Sequence, residues 1–427
     1  MNYISVIGGG LAGCEAAYQI AKRGIKVKLY EMKPKKFSDA HSNENFAEVV
    51  CSNSFKSNSV ENACGLLKEE LRLLDSLLIK CADETAVPAG QALAVDREVF
   101  SVLVTEKISN IDNIEIIREE VTKIPEGIVV IATGPLTSEN LSKEIMNLIG
   151  DNGLHFYDAA APILTKESID MNIGFFGDRY GKGDASYINL PMNKEEYEAF
   201  YNELINAEVA NLHEFEKREI FESCMPVEIM AKRGIDTLRF GPLKPVGFTD
   251  PRTEKRPYAI VQLRQDNKEG TLFNIVGFQT NLKFKEQQRV FSTIPGLTNA
   301  EFVRFGVMHR NTYINSSKLL DESYNLKQDN NIFFAGQITG VEGYVESISS
   351  GLIAGINAAN MLLNKSKQTF LKETMIGALS CYISTENSNF QPMNANFGIL
   401  PELDIKIRDK KERYKELSNR ALKKLHI

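Results

Sequence analysis

The sequence predicts an α/β protein in which a Rossmann-type dinucleotide-binding domain is interrupted by an α+β insertion domain. A short apolar strand at the start of the chain runs into a glycine-rich turn, and residues with helical spacing follow. Apolar strand patterns return near the end of the chain, after a middle segment of different texture. We therefore expect the first domain to comprise residues 1–150 and 325–427, and the insertion, which would bind substrate, to comprise residues 151–324.

The first βαβ unit follows from the order of its patterns. The apolar run Tyr3–Ile7 predicts a strand, and Cys14–Lys22 predicts a helix that Gly24 ends. A second strand, Lys26–Tyr30, then leads to the acidic residue Glu31. This unit of roughly thirty residues has the size of a dinucleotide-binding βαβ motif.

Later elements are predicted from the same periodicities. A row of leucines on one face predicts one amphipathic helix over Asn62–Ile79. Strands are expected at Ile128–Ala132, Tyr258–Leu263, Leu272–Phe278, Phe302–Val307 and Asn331–Ala335, and helices at Lys194–Ala207 and Ser347–Leu362.

The composition is typical of a soluble globular protein, with 43% hydrophobic and 25% charged residues in a chain of 427. No apolar run approaches the ~20 residues that cross a bilayer. The N-terminus also lacks the pattern of a signal peptide. We expect a cytoplasmic protein with no membrane partner.

The six cysteines are scattered through the sequence without a CxxC pair, and no histidine lies beside them at metal-ligand spacing. This pattern argues against a metal site and against a disulfide framework. Any cysteine with a function would act as a thiolate.

The glycine-rich turn Gly8-Gly9-Gly10-Leu11-Ala12-Gly13 predicts a seat for a dinucleotide. Gly8 allows the tight turn, Gly10 lets the backbone approach a pyrophosphate, and Gly13 lets the helix pack on the strand. The helix N-terminus would face the phosphates. Glu31, about twenty residues downstream, would accept hydrogen bonds from the ribose hydroxyls.

Two later segments favour FAD over NAD as the dinucleotide. Val129–Gly134 is the kind of strand and turn that returns to the cofactor in flavoproteins with two dinucleotide-binding segments, and it places Thr133 and Gly134 at the site. Ile332–Gln337 resembles their C-terminal flavin strand, which commonly ends in aspartate. Here Gln337 stands at that position, between Gly336 and Gly340. The expected fold is therefore a Rossmann-type FAD-binding domain with an insertion.

Two basic segments lie within a chain of net charge −6. Residues 231–264 hold eight Lys and Arg against three Asp and Glu, and residues 406–427 hold nine against three. Local patches attract phosphates even on an acidic protein, so both segments are candidates for RNA binding. The alternative is a solvated face balanced by neighbouring acids.

Several long sequence blocks resemble one family, the folate- and FAD-dependent RNA uracil-5-methyltransferases. The blocks are Val49–Ile79, Val87–Ser101, Phe221–Thr253, RPYAIVQLRQDN, GVMHRNTYINSSKLL and AGQITGVEGYVES. The resemblance covers nearly the whole chain. It implies transfer of a one-carbon unit from 5,10-methylenetetrahydrofolate to uracil C5, with FAD carrying reducing equivalents supplied by NADH or NADPH.

The resemblance also implies catalytic cysteines. Uracil C5 is a weak nucleophile, and addition of a thiolate to C6 makes C5 enolate-like. Cys224 matches the family's nucleophile, and Lys232 and Arg233 follow it closely enough to lower the pKa of the thiol if the fold brings them near. Cys51 matches a second family cysteine near the flavin, with a supporting or proton-transfer role. Either cysteine can alternatively be a buried, inert residue.

Substrate-binding residues follow from the same resemblance. Tyr344 matches an aromatic that stacks on the folate pterin. His309 and Arg310 lie in a block similar to the folate-side wall, where an arginine suits the glutamate carboxylate of folate. A structural role is equally open for both. No second glycine fingerprint is present for the nicotinamide, and no obligate protein partner is inferred.

The RNA target stays open at this point. The T-loop uridine of tRNA is favoured, and the alternative is a uridine of 23S ribosomal RNA, which paralogues of the family methylate. A second alternative is the related flavoprotein that modifies the tRNA wobble uridine. A third is a non-catalytic RNA-binding flavoprotein, against which the presence of both Cys51 and Cys224 argues.

Overall fold

The fold is built on two large sheets. The structure is a computed structural model, and it describes residues 3–38, 40–150, 157–181, 186–209, 225–265, 270–310, 312–387, 390 and 392–425. The strands are β1 (Tyr3–Ile7), β2 (Lys26–Tyr30), β3 (Ser54–Ser57), β4 (Ala86–Val87), β5 (Ala92–Val95), β6 (Ile114–Ile117), β7 (Val129–Ile131), β8 (Tyr157–Ala160), β9 (Ile163–Thr165), β10 (Phe175–Phe176), β11 (Tyr187–Met192), β12 (Ala259–Gln265), β13 (Leu272–Ile275), β14 (Phe302–Arg304), β15 (Val307–Arg310) and β16 (Ile332–Phe334).

Thirteen α-helices connect and cover these strands in the described parts of the chain. They are α1 (Leu11–Ala21), α2 (Ala63–Leu73), α3 (Leu77–Glu84), α4 (Arg97–Ser109), α5 (Glu139–Ile149), α6 (Lys194–Asn206), α7 (Val227–Lys232), α8 (Thr237–Phe240), α9 (Phe284–Phe291), α10 (Ser316–Leu319), α11 (Tyr344–Leu362), α12 (Met375–Ser384) and α13 (Lys410–Leu425).

The first sheet is parallel and has the strand order β16-β7-β1-β2-β6. Its central strand β1 is flanked by β2 on one side and by β7 on the other. The strand order therefore reverses at β1, with later strands on both sides of it. The carboxyl end of β1 is a topological switch point of the sheet. Ligands of open α/β sheets bind in the crevice at such a point.

Helices α1 and α11 cross in close contact on this sheet because glycines remove side chains from the crossing. A Cβ added to Gly351 would lie 2.3 Å from the carbonyl oxygen of Ala12, and one added to Gly355 would lie 2.7 Å from that of Ala16. Small residues let two helix backbones approach to distances that larger side chains prevent. This contact places the third turn of α11 beside the first turn of α1.

The predicted single helix over Asn62–Ile79 is wrong, because the structure forms α2 and α3 with a break between them. Asp75 adopts a left-handed conformation with φ of 62°, and its carboxylate pairs with Lys22 and Lys80. Ser76 then caps α3 by accepting a hydrogen bond from the N–H of Ile79. The leucine spacing continued through the break, so the periodicity did not reveal it.

The second sheet has the order β10-β11-β12-β13-β9-β14 and is antiparallel. Aromatic and aliphatic residues of this sheet and of α6 and α9 form a separate buried core, in which the ring of Phe278 contacts those of Phe200 and Phe291. Residues 164–302 contribute to this core, whereas residues 4–145 and 314–421 contribute to the core of the parallel sheet. The predicted domain boundaries themselves stay a prediction.

Among the described residues, no helix combines the length and the apolar character that a membrane span requires.

Candidate functional site

The carboxyl ends of β1, β2, β7 and β16 open onto one cleft. Parallel strands end at the same edge of a sheet, so the loops that follow them share this space. Most of the residues predicted to bind the cofactor line the cleft: Gly8, Gly9, Gly10, Leu11, Ala12, Glu31, Thr133, Gly134, Gly336 and Gln337. Gly13 and Gly340 are not among the lining residues.

The glycines of the first turn differ in what surrounds them. A Cβ on Gly13 would lie 1.8 Å from the carbonyl oxygen of Gly8, so this glycine lets α1 pack against the turn. Gly8 itself has φ of +104°, which favours glycine. A Cβ on Gly10, at the start of α1, would meet no atom within 4 Å and would project into open space. Gly10 therefore leaves room for a ligand beside the helix N-terminus.

Glu31 follows β2 and is held by the backbone on both sides. One carboxylate oxygen accepts the N–H of Gly9 at 2.8 Å, and the other accepts the N–H of Lys33 at 3.0 Å. Each oxygen has a further lone pair for a hydroxyl group. Lys33 is itself buried and lies 3.5 Å from Glu48, so this wall also contains a charge pair that the sequence did not indicate.

The far side of the cleft is formed by the turn after β16 and by the start of α11. The N–H of Gly336 donates to Ser350 Oγ at 2.7 Å, which ties the turn to the helix. Tyr344 and Ser347, in the first turn of α11, line the cleft. Gly340 lies behind this wall, where an added Cβ would approach the ring of Phe390 to 2.7 Å. The cleft thus has the N-termini of two long helices at its rim, both favourable to anions.

Cys51 lies at the border of the cleft, and Tyr344 holds its backbone. The hydroxyl oxygen of Tyr344 accepts the N–H groups of Cys51 and Ser52 at 2.9 and 3.0 Å. The neighbouring Val50 lines the cleft, and Cys51 is half-buried. The ring of Tyr344 also packs at 5.5 Å from that of Phe55. The structure therefore brings two predicted residues together in one contact.

Cys224 lies outside the described residues, but the helix that follows it is described. Glu228 in α7 is buried and accepts from Thr280 Oγ1 and from the N–H of Asn281, both at 2.8 Å. Burial raises the pKa of this carboxyl, and the hydrogen bonds oppose that shift. The start of α7 is thus anchored to residues 280–281. The sequence analysis missed Glu228. Nothing in the sequence indicates that this acidic residue, close after Cys224, forms hydrogen bonds with residues 280–281.

Lys232 and Arg233 end α7 and are exposed. The surface beside them carries Phe240, at the end of α8, whose side chain is 79% exposed. An aromatic ring with this exposure contributes little to packing and is available to stack on a base. The sequence prediction omitted Phe240.

His309 and Arg310 are the last two residues of β15, where they pair with Asp158 and Tyr157 of β8. Their side chains lie outside the described parts of the structure, so the predicted contact with folate stays a prediction.

The parallel sheet, the glycine turn and the cleft at the switch point define a dinucleotide-binding protein of the Rossmann class. The solved structure of Aquifex aeolicus GidA is similar in fold. One crystal form superimposes with a TM-score of 0.73 at 18% identity, covering 99% of this chain and 75% of that chain.

The comparison of sequences defines the family. A family model described as "Glucose inhibited division protein A" matches residues 3–366. The chain is 66% identical over 425 residues to the methylenetetrahydrofolate--tRNA-(uracil-5-)-methyltransferase TrmFO of Acetivibrio thermocellus, covering 99% of this chain and 98% of that protein. It is 62% identical over 423 residues to the protein of the same name from Fusobacterium nucleatum, with the same coverage. The chain belongs to this family, and the predicted family and α/β fold class are confirmed.

Proposed function

We propose that this chain binds FAD in the cleft and methylates C5 of a uridine in tRNA, with 5,10-methylenetetrahydrofolate as the one-carbon donor. The observation that carries the proposal is the likeness to proteins named for this activity, at 57–66% identity over nearly the whole chain. The T-loop uridine favoured from the sequence is the proposed target within tRNA.

The cleft suits FAD because its walls match the parts of a dinucleotide. Gly10 leaves open space at the start of α1, where a pyrophosphate would receive backbone N–H groups. Glu31, fixed by two backbone N–H groups, would accept from the ribose hydroxyls of the adenosine half. Gly336 and Gln337, beside α11, would flank the flavin half. When bound, the flavin supplies the reducing equivalents that convert a methylene unit into a methyl group.

The two cysteines would divide the work on the uracil. Cys224 would add to C6 as a thiolate, which makes C5 nucleophilic, and would leave after C5 has gained its substituent. Cys51, at the border of the cleft, would remove the proton that C5 must lose. Its position beside Tyr344 supports a role near the flavin rather than in packing.

Folate would enter where Tyr344 meets the cleft. The ring of Tyr344 offers a face to the flat pterin, while its hydroxyl is engaged by the Cys51 segment. His309 and Arg310 would bind the glutamate part of folate. NADH or NADPH would reduce the flavin; anaerobic bleaching of flavin absorbance by each nicotinamide in turn would identify the reductant.

The RNA would bind across the exposed basic surface at the C-terminal end of α7. Lys232, Arg233 and Lys244 would contact phosphates, and Phe240 would stack on an unpaired base of the loop. Bases in RNA loops are often splayed out and stacked on aromatic side chains. Replacing Phe240 with alanine should weaken binding of the RNA by about tenfold, a free energy of ~1–3 kcal/mol per stacked base.

The test of the proposed function is a methylation assay with the purified holoenzyme. The protein is incubated with methylenetetrahydrofolate, NADPH and either unmodified tRNA or 23S ribosomal RNA, and 5-methyluridine is mapped in each. We expect 5-methyluridine in the tRNA T-loop, and none when Cys224 is replaced by alanine. Product in ribosomal RNA alone would move the target to the alternative. Methyl transfer from S-adenosylmethionine in place of folate would contradict the proposal.

A further inference from the structure

Residues 49–53, which carry Cys51, are held by side chains from four separate elements. Arg97 of α4 donates to the carbonyl oxygens of Val49 and Val50 at 3.0 and 3.3 Å. Tyr344 of α11 receives the N–H groups of Cys51 and Ser52. Both of these elements belong to the core of the parallel sheet. The other two elements belong to the antiparallel sheet.

Arg264 of β12 reaches this segment from the antiparallel sheet. Its Nη2 donates to Ser52 Oγ at 2.6 Å, and its Nε donates to Asn53 Oδ1 at 3.2 Å. The same Nη2 lies 3.2 Å from Oδ1 of Asn274, the residue opposite Arg264 on β13. A guanidinium holds its donors in one plane, so contacts to several acceptors fix both its position and its orientation.

Asn53 completes the network and uses all of its hydrogen-bonding capacity. Its Nδ2 donates to the carbonyl oxygens of Val95 and Gln265 at 3.1 and 2.8 Å. Its Oδ1 accepts from Arg264 and, at 3.1 Å, from Asn274 Nδ2. Asn53 is 0% exposed and Asn274 is 2% exposed. A buried network in which every group is satisfied specifies one arrangement, because any shift leaves a polar atom without a partner.

We propose that Arg264 is a positioning residue through which the antiparallel sheet fixes the place of Cys51 at the cleft. The catalytic consequence rests on the role proposed above for Cys51, whereas the positioning itself does not. Arg264 joins the part of the chain that carries the basic surface to the segment that carries the thiol. Without it, Ser52 loses its contact to β12, and of its contacts to the antiparallel sheet Asn53 keeps only those to the carbonyl oxygen of Gln265 and to Asn274. The Cys51 segment then shifts more readily away from the flavin side of the cleft.

The first measurement is the rate at which iodoacetamide alkylates Cys51 in the FAD-loaded protein, read by mass spectrometry of the peptide that contains it. We expect Arg264→Ala to raise that rate by about tenfold, since a half-buried thiol becomes more reactive when its segment opens more often. Arg264→Lys keeps one donor and should restore part of the protection. The matched control is Arg289→Ala, whose guanidinium pairs with Glu203 and Glu286 on the exposed surface of the helices that cover the antiparallel sheet.

The second measurement is the methylation assay at saturating and limiting tRNA. A positioning role predicts that Arg264→Ala lowers kcat by about tenfold or more while KM for tRNA and retention of FAD stay close to those of the wild type. Arg289→Ala should match the wild type in both measurements.

Unchanged alkylation of Cys51 in Arg264→Ala, with FAD retained, would overturn the proposal. Equal acceleration in Arg264→Ala and Arg289→Ala would also overturn it, because the effect would then be a general loss of stability. If Cys51→Ala methylates at full rate, the proposed use of Cys51 fails, and the alkylation result still decides the positioning role.

Discussion

Gly10 and Gly13 lie three residues apart in one turn, but the absence of a side chain has a different role at each position. An alanine at Gly10 would project into open space at the start of α1, whereas one at Gly13 would collide with the carbonyl oxygen of Gly8. We expect Gly10→Ala to fold normally and to bind FAD about tenfold more weakly or worse, a loss of ~1.4 kcal/mol. Gly13→Ala should lose ~1–3 kcal/mol of stability as well.

Two measurements on the same samples separate these effects. Thermal unfolding of the cofactor-free proteins gives stability, and titration with FAD gives affinity. Equal thermal stability of the Gly13→Ala variant and the wild type would contradict the packing role of Gly13. Undiminished FAD affinity in Gly10→Ala would contradict the proposed place of the pyrophosphate.

Tyr344 has two functions that substitution can separate. Tyr344→Phe keeps the ring for stacking and removes the oxygen that receives the N–H groups of Cys51 and Ser52. Leaving two donors without their acceptor costs ~1–3 kcal/mol. We expect the methylation kcat to fall while KM for folate is unchanged, and Tyr344→Ala to raise KM for folate as well. A wild-type kcat in Tyr344→Phe would show that the hydroxyl is dispensable.

At the scale of elements, α12 begins on a carboxyl group from another helix. Glu70 of α2 accepts the N–H groups of Met375 and Ile376 at 2.7 and 2.8 Å and so caps α12 from a distance. Burial raises the pKa of Glu70 to about 8, although these two hydrogen bonds act in the opposite direction. Two helices far apart in sequence thus depend on one titrating group.

The raised pKa of Glu70 predicts the direction in which the free energy of unfolding changes with pH. Between the ordinary carboxyl pKa of ~4.3 and about 8, the folded state holds a proton that the unfolded chain has released. The free energy of unfolding therefore falls as pH rises through this window, by at most ~1.4 kcal/mol per pH unit. Glu70→Gln lacks this titrating group, so the free energy of unfolding of the variant minus that of the wild type should increase from pH 5 to pH 8.

Chemical denaturation at several pH values would measure this difference. Glu69→Gln, on the same helix, controls for loss of a charge, since Glu69 is half-buried and pairs with Arg72. If the difference between Glu70→Gln and the wild type does not vary with pH, Glu70 does not titrate in this window.

For the whole molecule, the distribution of charge decides how RNA can approach a protein of net charge −6. Helix α13 turns Leu417 and Ala421 inward and stacks Tyr414 on Phe397 at 4.4 Å, and Lys423 and Lys424 in its last turn are exposed. Deleting the helix would expose this packing and confuse binding with folding. Reversal of surface charge is the cleaner test of RNA binding by the basic segment of residues 406–427.

We expect Lys423→Glu with Lys424→Glu to weaken tRNA binding and to lower the slope of log Kd against log salt concentration by about one to two. Each phosphate contact contributes ~0.7–0.9 to that slope. The control is Lys365→Glu with Lys372→Glu, which changes net charge equally on the exposed loop after α11. Equal losses in both double variants would assign the effect to net charge rather than to α13.

How much the sequence predicted depended on whether the information was local. Strands β1 and β2 were predicted to the residue, because an apolar run beside a glycine turn specifies a buried strand within a few positions. The cleft was predicted for the same reason. The break at Asp75 was missed, since a left-handed residue within a continuing leucine pattern leaves the periodicity intact.

Contacts between the two cores could not be predicted from the sequence. Arg264 lies in a strand more than two hundred residues from Ser52. The sequence of neither segment indicates that the two form a hydrogen bond. The contact depends on the placement of two sheets, which is a tertiary property. Tyr344 was expected at the folate, and its hydrogen bonds to the Cys51 segment were not foreseen, for the same reason.

The crossing of α1 with α11 has a consequence for how this protein is made. The two helices come from opposite ends of the chain, so a ribosome must deliver residues up to about 362 before the nucleotide seat has its second wall. Until then, α1 lacks α11 as its packing partner, and β7 lacks β16. Pairing over such a separation is slow compared with local structure. We therefore expect FAD to be captured late in synthesis, after residues up to about 362 have been made, and to stabilise the chain only from that point.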